Sequence, residues 1–170
     1  MAITSCGSMK TQSPRAPERA SVPYKVDGAS DPHRLQMQAR LEKQGVKVIS
    51  MGQDYLLSIP STAIFRNQSP KIRWHSYALL NDIVCYLNQY RKIAVTVKSF
   101  TGKCVNPKRD RALTLARSRA VADYLWSQNI KSRFIFMDGL GSDKPIFALS
   151  SCGDGSPNSR IEITFRNQIV

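Results

Sequence analysis

The stretch from Val95 to Val121 constrains the fold more than any other part of the chain. Ile93, Val95 and Val97 alternate with Ala94, Thr96 and Lys98, the period of a half-buried strand. A polar loop follows, and Asn106-Pro107 then marks a helix start: a capping side chain, then a residue whose fixed φ suits the first turn. Leu113, Ala116, Ala120, Val121, Tyr124 and Leu125 recur at helical spacing. A strand, loop and helix in immediate succession call for a sheet with a packed helix. They carry Arg109, Arg117 and Arg119 into or near a junction where backbone N–H groups favour anions.

The flanking segments extend the pattern. His33 to Lys43 favours a short helix closed by Gly45, with Leu35, Ala39 and Leu41 on its apolar side. Val46–Ser50 and Tyr55–Ile59 flank Met51-Gly52-Gln53-Asp54 as a hairpin, closed by Pro60 and Ser61. Ile72, Leu79, Leu80, Ile83, Val84, Leu87 and Tyr90 form a core stripe on a helix expected from about Pro70 to Tyr90. Trp74 and Tyr77 lie off that stripe and are read as packing against the hairpin. Phe134 to Met137 and the alternating Ile161, Ile163 and Phe165 supply the last strands. The β-α-β-α-β-β order predicts an α+β fold, a mixed sheet with helices on one face. Gly7 to Pro32, rich in Ser, Pro and Ala, is expected to be a disordered tether of about 28 Å as a free coil and about 85 Å stretched.

The net charge is +13, and seven basic residues face one acidic residue between Lys98 and Arg119. That balance attracts polyanions. Nucleic acid is disfavoured as a partner, because aromatic residues do not interleave with the basic patch and no nucleic-acid motif is present. No apolar run reaches the ~18 residues that span a bilayer. Four cysteines without a Cys-x-x-Cys, together with two histidines, predict no metal site, and no cofactor is expected. Cys85, inside an amphipathic helix, reads as a small core residue. His33 and His75 lack partners at telling spacing, and Ser150 and Ser151 read as loop residues, so no catalytic residue is assigned.

Four segments in the right order resemble the OmpA-like, peptidoglycan-binding domain. Ser99-Phe100-Thr101-Gly102 is similar to its loop after a strand. Asp110-x-x-Leu113-Thr114-x-x-Arg117-Ser118-x-x-Val121 is similar to its Asn-x-x-Leu-Ser-x-x-Arg-Ala-x-x-Val helix. Gly139-Leu140-Gly141 with Pro145, and Asn158-Ser159-Arg160-Ile161-Glu162-Ile163, match its Gly-x-Gly and final-strand segments. The resemblance covers about Tyr55 to Phe165. It places the family's first strand at Ile59 to Phe65, and it divides the chain into residues 1–32 (linker), 33–54 (helix and hairpin) and 55–170 (OmpA-like domain).

The resemblance implies a pocket for the diaminopimelate of a peptidoglycan stem peptide, lined here by Thr101, Gly102, Asp110, Arg117, Asn158 and Arg160. Arg117 takes the position of the family's carboxylate-binding arginine, a role that a planar fork suits. Gly102 stands where the family has its loop aspartate, which implies weaker binding by about tenfold to a hundredfold. Asp110 either supplies a carboxylate or offsets Arg109 and Arg111. The fold would also bring Cys104 and Cys152 to one end of the sheet, and a disulfide or two free thiols both fit.

Ile3-Thr4-Ser5-Cys6-Gly7 is similar to a bacterial lipobox, which makes Met1 an internal residue of a longer precursor and Cys6 an acylated N-terminus on the periplasmic face of the outer membrane. A chance cysteine in a flexible tail also fits. The short basic domain, the lipobox and the preceding helix and hairpin are together similar to the DotK/IcmN lipoproteins of type IVB (Dot/Icm) secretion systems. That resemblance implies core-complex lipoproteins and periplasmic subunits as partners, with peptidoglycan as a further one.

Overall fold

The computed structural model describes residues 32–104, 106–148 and 151–168. Cys6 and the expected tether up to residue 31 lie outside the described residues. The elements run α1 (Pro32–Lys43), β1 (Lys47–Met51), β2 (Asp54–Pro60), α2 (Ser61–Ile64), α3 (Ser76–Leu87), β3 (Ala94–Phe100), α4 (Pro107–Ser127), β4 (Phe134–Gly139) and β5 (Arg160–Arg166). The sheet order is β1-β2-β5-β3-β4. All neighbours are antiparallel except β3 and β4, which are parallel and need the long α4 crossover between them. This is the α+β mixed sheet that the periodicities predict.

Register explains which residues are buried. Leu57 faces Ile163, which faces Val97, and Ile59 faces Ile161. This face packs against Leu80, Ile83 and Leu87 of α3, Val121 and Leu125 of α4, and Leu41 of α1. Each such side chain contributes roughly 1.5–3 kcal/mol through burial. Alternate residues form the other face, where Phe134 and Phe136 stay exposed and stack at 6.1 Å. Topology also gathers the ends of β2, β3 and β4, the start of β5 and the segment 65–75 at one end of the sheet, because Pro60 pairs with Arg160 and Arg160 with Phe100.

Four local expectations are corrected. The segment from Ile59 to Phe65 is not one strand: Pro60 ends β2 and Ser61–Ile64 is a helical turn. The helix expected from Pro70 begins at Ser76, because Ile72 is instead drawn into a bridge with Phe65. Trp74 does not pack against the hairpin; it is 82% exposed. Cys85 is half-buried and is not a free thiol. Asn106 caps α4 as its sequence suggests, its side chain accepting from the Lys108 and Arg109 amides.

Candidate functional site

The first half of α4 buries a polar stripe. Asp110, Thr114, Arg117 and Ser118 are buried there, whereas Leu113 and Ala116 are only half-buried and Leu115 is exposed. Thr114 Oγ1 donates to the Asp110 carbonyl at 2.9 Å and accepts from the Gly141 amide at 3.0 Å. Ser118 Oγ donates to the Asp138 carbonyl at 2.6 Å. Gly139 lies so close that a Cβ there would overlap the Leu115 backbone. The Gly-x-Gly segment is therefore a packing device that sets β4 against α4.

Arg117 is 0% exposed, the largest fully buried side chain of the described residues. Its Nη1 and Nη2 donate to Oδ1 and Oδ2 of Asp154, both at 2.7 Å. Nε donates to the Ser69 carbonyl at 3.0 Å and Nη2 to the Arg66 carbonyl at 3.3 Å. The guanidinium lies 5.1 Å from the Phe65 ring centroid. Four of its hydrogen bonds are thus made inside the protein, out of five N–H donors. This fork-to-fork pair is the geometry a bound carboxylate would adopt, but the chain supplies the carboxylate itself.

Asp154 is 3% exposed in its side chain and also accepts from the Gln68 amide at 2.7 Å. Burial pushes its carboxyl up, but the hydrogen bonds from Arg117 and Gln68 and the charges of Arg117 and Arg73 outweigh burial. The net shift is below the ordinary carboxylate value. The loop carrying Asp154 is pinned at several points. Cys104 and Cys152 form a disulfide with Cα atoms 4.9 Å apart, Gly102 bridges Gly153, and Ser159 Oγ donates to the Gly153 carbonyl at 2.7 Å.

The other expected ligand residues are brought to the same end of the sheet and are also engaged internally. The Gly102 amide donates to Ser159 Oγ at 3.0 Å, and a Cβ at this position would lie 2.5 Å from the Ser151 carbonyl oxygen. An aspartate at 102 and this loop path exclude each other. Thr101 is buried, with its amide on the Gly141 carbonyl. Asp110 accepts from the Cys104 amide at 3.2 Å, so it shapes the loop entering α4 and does not compensate for the missing loop carboxylate. Asn158 Oδ1 accepts from the Ile146 and Phe147 amides at 2.8 and 2.9 Å. Arg160 pairs with Glu162 at 2.7 Å and stacks 3.9 Å from the Phe100 centroid. An open cleft of about 450 Å³ beside these residues is lined by Thr101 and Asn158, and Arg117 is not part of its wall.

The expected crevice in front of Arg117 is therefore closed. Sequence reasoning missed Asp154, the residue that closes it. The available signal was an aspartate between two glycines just after Cys152, the only acidic residue between Asp143 and Glu162.

The OmpA family profile matches residues 64–159, more than half of the chain. The chain belongs to the OmpA family. It is 26% identical over 134 residues to the probable lipoprotein YiaD of Escherichia coli (strain K12), covering 79% of this chain and 61% of that protein. The chain thus spans about three fifths of that relative's length. It is 24% identical over 124 residues to the peptidoglycan-associated lipoprotein of Mesorhizobium japonicum, covering 73% and 74% of the two chains. Among solved structures it is similar to the cell wall anchor of the T6SS from Pseudomonas aeruginosa, with a TM-score of 0.68 and 23% identity over 82% of this chain and all of that one. At that identity the likeness establishes the OmpA-family fold. The closed Arg117 site is a feature of this chain's own residues.

Proposed function

We propose that this chain is a non-catalytic lipoprotein of the bacterial envelope at the periplasmic face of the outer membrane. Its OmpA-family domain serves as a structural part of a type IVB secretion core complex lying against the cell wall. The names of its relatives support the coarser half of this reading: a probable lipoprotein, a peptidoglycan-associated lipoprotein and a cell wall anchor. The resemblance to DotK/IcmN lipoproteins supports the finer half.

The observation that carries the reading is the buried Arg117–Asp154 pair. A stem-peptide carboxylate competing for Arg117 must displace a chelating carboxylate already in place, and it would gain no partner for its ammonium at Gly102. The scaffold is kept and the pocket is filled, as suits a domain whose contacts with partner proteins and wall lie elsewhere on its surface. The test sediments the intact protein with purified sacculi and identifies cross-linked partners from native membranes. Co-purification with secretion subunits, and sacculus retention unaffected by free diaminopimelate, are expected. Release by diaminopimelate would mean that the Arg117 pocket opens, and the reading of a filled pocket fails. Wall retention with no secretion subunit would leave a generic wall-anchoring lipoprotein, a role matching the name of the Mesorhizobium relative.

A further inference from the structure

The sheet ends at β4, and among the described residues no strand pairs with its outer edge. The amides of Phe134 and Leu140 donate to the Ile93 and Ser99 carbonyls at 3.1 and 3.0 Å, on the β3 side. Along a parallel ladder the direction of bonding alternates from residue to residue. The amides and carbonyls of Ile135 and Met137 are therefore turned to the open side. Such an edge is a template for a further strand, and natural proteins blunt it with lysine, proline or a bulge. The run Phe134-Ile135-Phe136-Met137 carries neither a charge nor a proline.

The surroundings of this edge are apolar on both sides of the sheet. Twelve large apolar side chains are exposed among the described residues, and six of them stand here: Ile93, Leu115, Trp126, Phe134, Phe136 and Met137. Phe134 and Phe136 stack on the face that no helix covers. Met137 alternates to the face toward α4. Leu115 of α4 abuts Gly139, and Trp126 follows about three turns later on the same side of the helix, as α4 runs back along β4. One end of the edge is basic. Arg91, Lys131 and Arg133 are exposed there and form no ion pair among the described residues. Asp138 lies at the other end of β4, and Asp123 on α4 is offset by Arg119 one turn away. A second copy of the chain would bring a further +13 to the contact, which opposes self-association.

We infer that β4 is a docking edge for an extended segment of an acidic partner protein. The segment adds to the five-stranded sheet as a further strand and bonds to the Ile135 and Met137 backbone. Its alternate apolar side chains rest on Phe134 and Phe136 on one face and on Leu115 and Trp126 on the other, and its acidic end meets Lys131 and Arg133. Main-chain bonds supply affinity in this mode, alternate side chains supply specificity, and the charges fix direction. The docking edge rests on the reading above, in which partner proteins contact the domain away from Arg117.

The chain has two tryptophans, so a Trp74→Phe protein reports on Trp126 alone. It is titrated with a blocked peptide of about eight residues that alternates Val with Thr and ends in a pair of Glu. Control peptides end in a pair of Lys or carry Pro at the centre. A saturable fluorescence change with the Glu-ended peptide is expected, with slowed hydrogen exchange at the Ile135 and Met137 amides and at least about tenfold weaker binding of either control. Met137→Pro deletes an outward amide and spares the bonds to β3, so it should keep the circular dichroism of the parent and lose the peptide. Lys131→Glu/Arg133→Glu alters only exposed side chains and should reverse the preference from Glu-ended to Lys-ended peptide. Equal affinity for the two, or no saturable response, would overturn the inference. So would a dimer in sedimentation that Met137→Pro abolishes, because a second copy would then occupy the edge. A failed titration removes this face and leaves co-purification with secretion subunits standing, whereas peptide binding without any such subunit removes the secretion reading and keeps the edge.

Discussion

Two arginines occupy one corner of this molecule and face opposite situations. Arg117 is sealed under the loops, chelated by Asp154 and two carbonyls, with an aromatic ring against it. Arg66 is exposed and lines an open cleft beside an exposed indole. The family register singles out Arg117, yet what makes a guanidinium a receptor is an unsatisfied fork facing solvent, not its place in a motif. A cation that already holds an internal carboxylate is a structural strut.

The sharpest way to break this comparison is to remove the strut. Arg117→Met leaves a buried carboxylate without its partner and is expected to cost about 3–5 kcal/mol in urea denaturation, with Arg117→Met/Asp154→Leu recovering most of the loss. A single-variant cost below about 1 kcal/mol would show that the pair is not buried as described. Acid probes the same contact. The folded pKa of Asp154 lies below its unfolded value, so its contribution is fully present above the ordinary carboxylate pKa of about 3.9. That contribution is lost as pH falls through the lower folded value. Acid unfolding of Arg117→Met/Asp154→Leu should lack this component.

The pinned loop comes next in size. Replacing Cys104 and Cys152 by serine opens a link spanning 48 residues, and a loss of about 2–4 kcal/mol is expected by calorimetry. Restoring the family aspartate with Gly102→Asp should not restore a ligand site. Its Cβ meets the Ser151 carbonyl oxygen, so a loss of about 1–3 kcal/mol and no gain in diaminopimelate binding are expected. Smallest of all, Arg66→Gln and Trp74→Ala should each change stability by less than about 0.5 kcal/mol, because they remove exposed groups. A larger thermal shift in either of them would mean that the open cleft is itself structural.

Much of the fold was legible because it depends on periodicity. Val95 and Val97, or Ile161 and Ile163, must alternate to bury one face of a strand, and Asn106-Pro107 starts a helix by purely local chemistry. Where the reading failed, a non-local partner intervened. The stripe through Leu113 and Ala116 is a sound helical pattern, but the tight seating of Gly139 against Leu115 turns Thr114, Arg117 and Ser118 inward. Burial also acts on Lys92, whose ammonium donates to the Leu87 carbonyl at 2.6 Å; burial, aided by Lys131, lowers its pKa to about 8.

By itself the sequence determined the order of strands and helices, the apolar faces, the cap of α4 and the family to which these belong, because each is encoded within a few neighbouring residues. Only the tertiary structure decided what Arg117 does. Its partners Asp154, Arg66 and Ser69 stand 37, 51 and 48 positions away, and no local rule states that a carboxylate from one loop will reach a guanidinium on α4 before any ligand can. The physical reason is that a buried charge must be neutralised somewhere, and which group neutralises it depends on how distant segments pack.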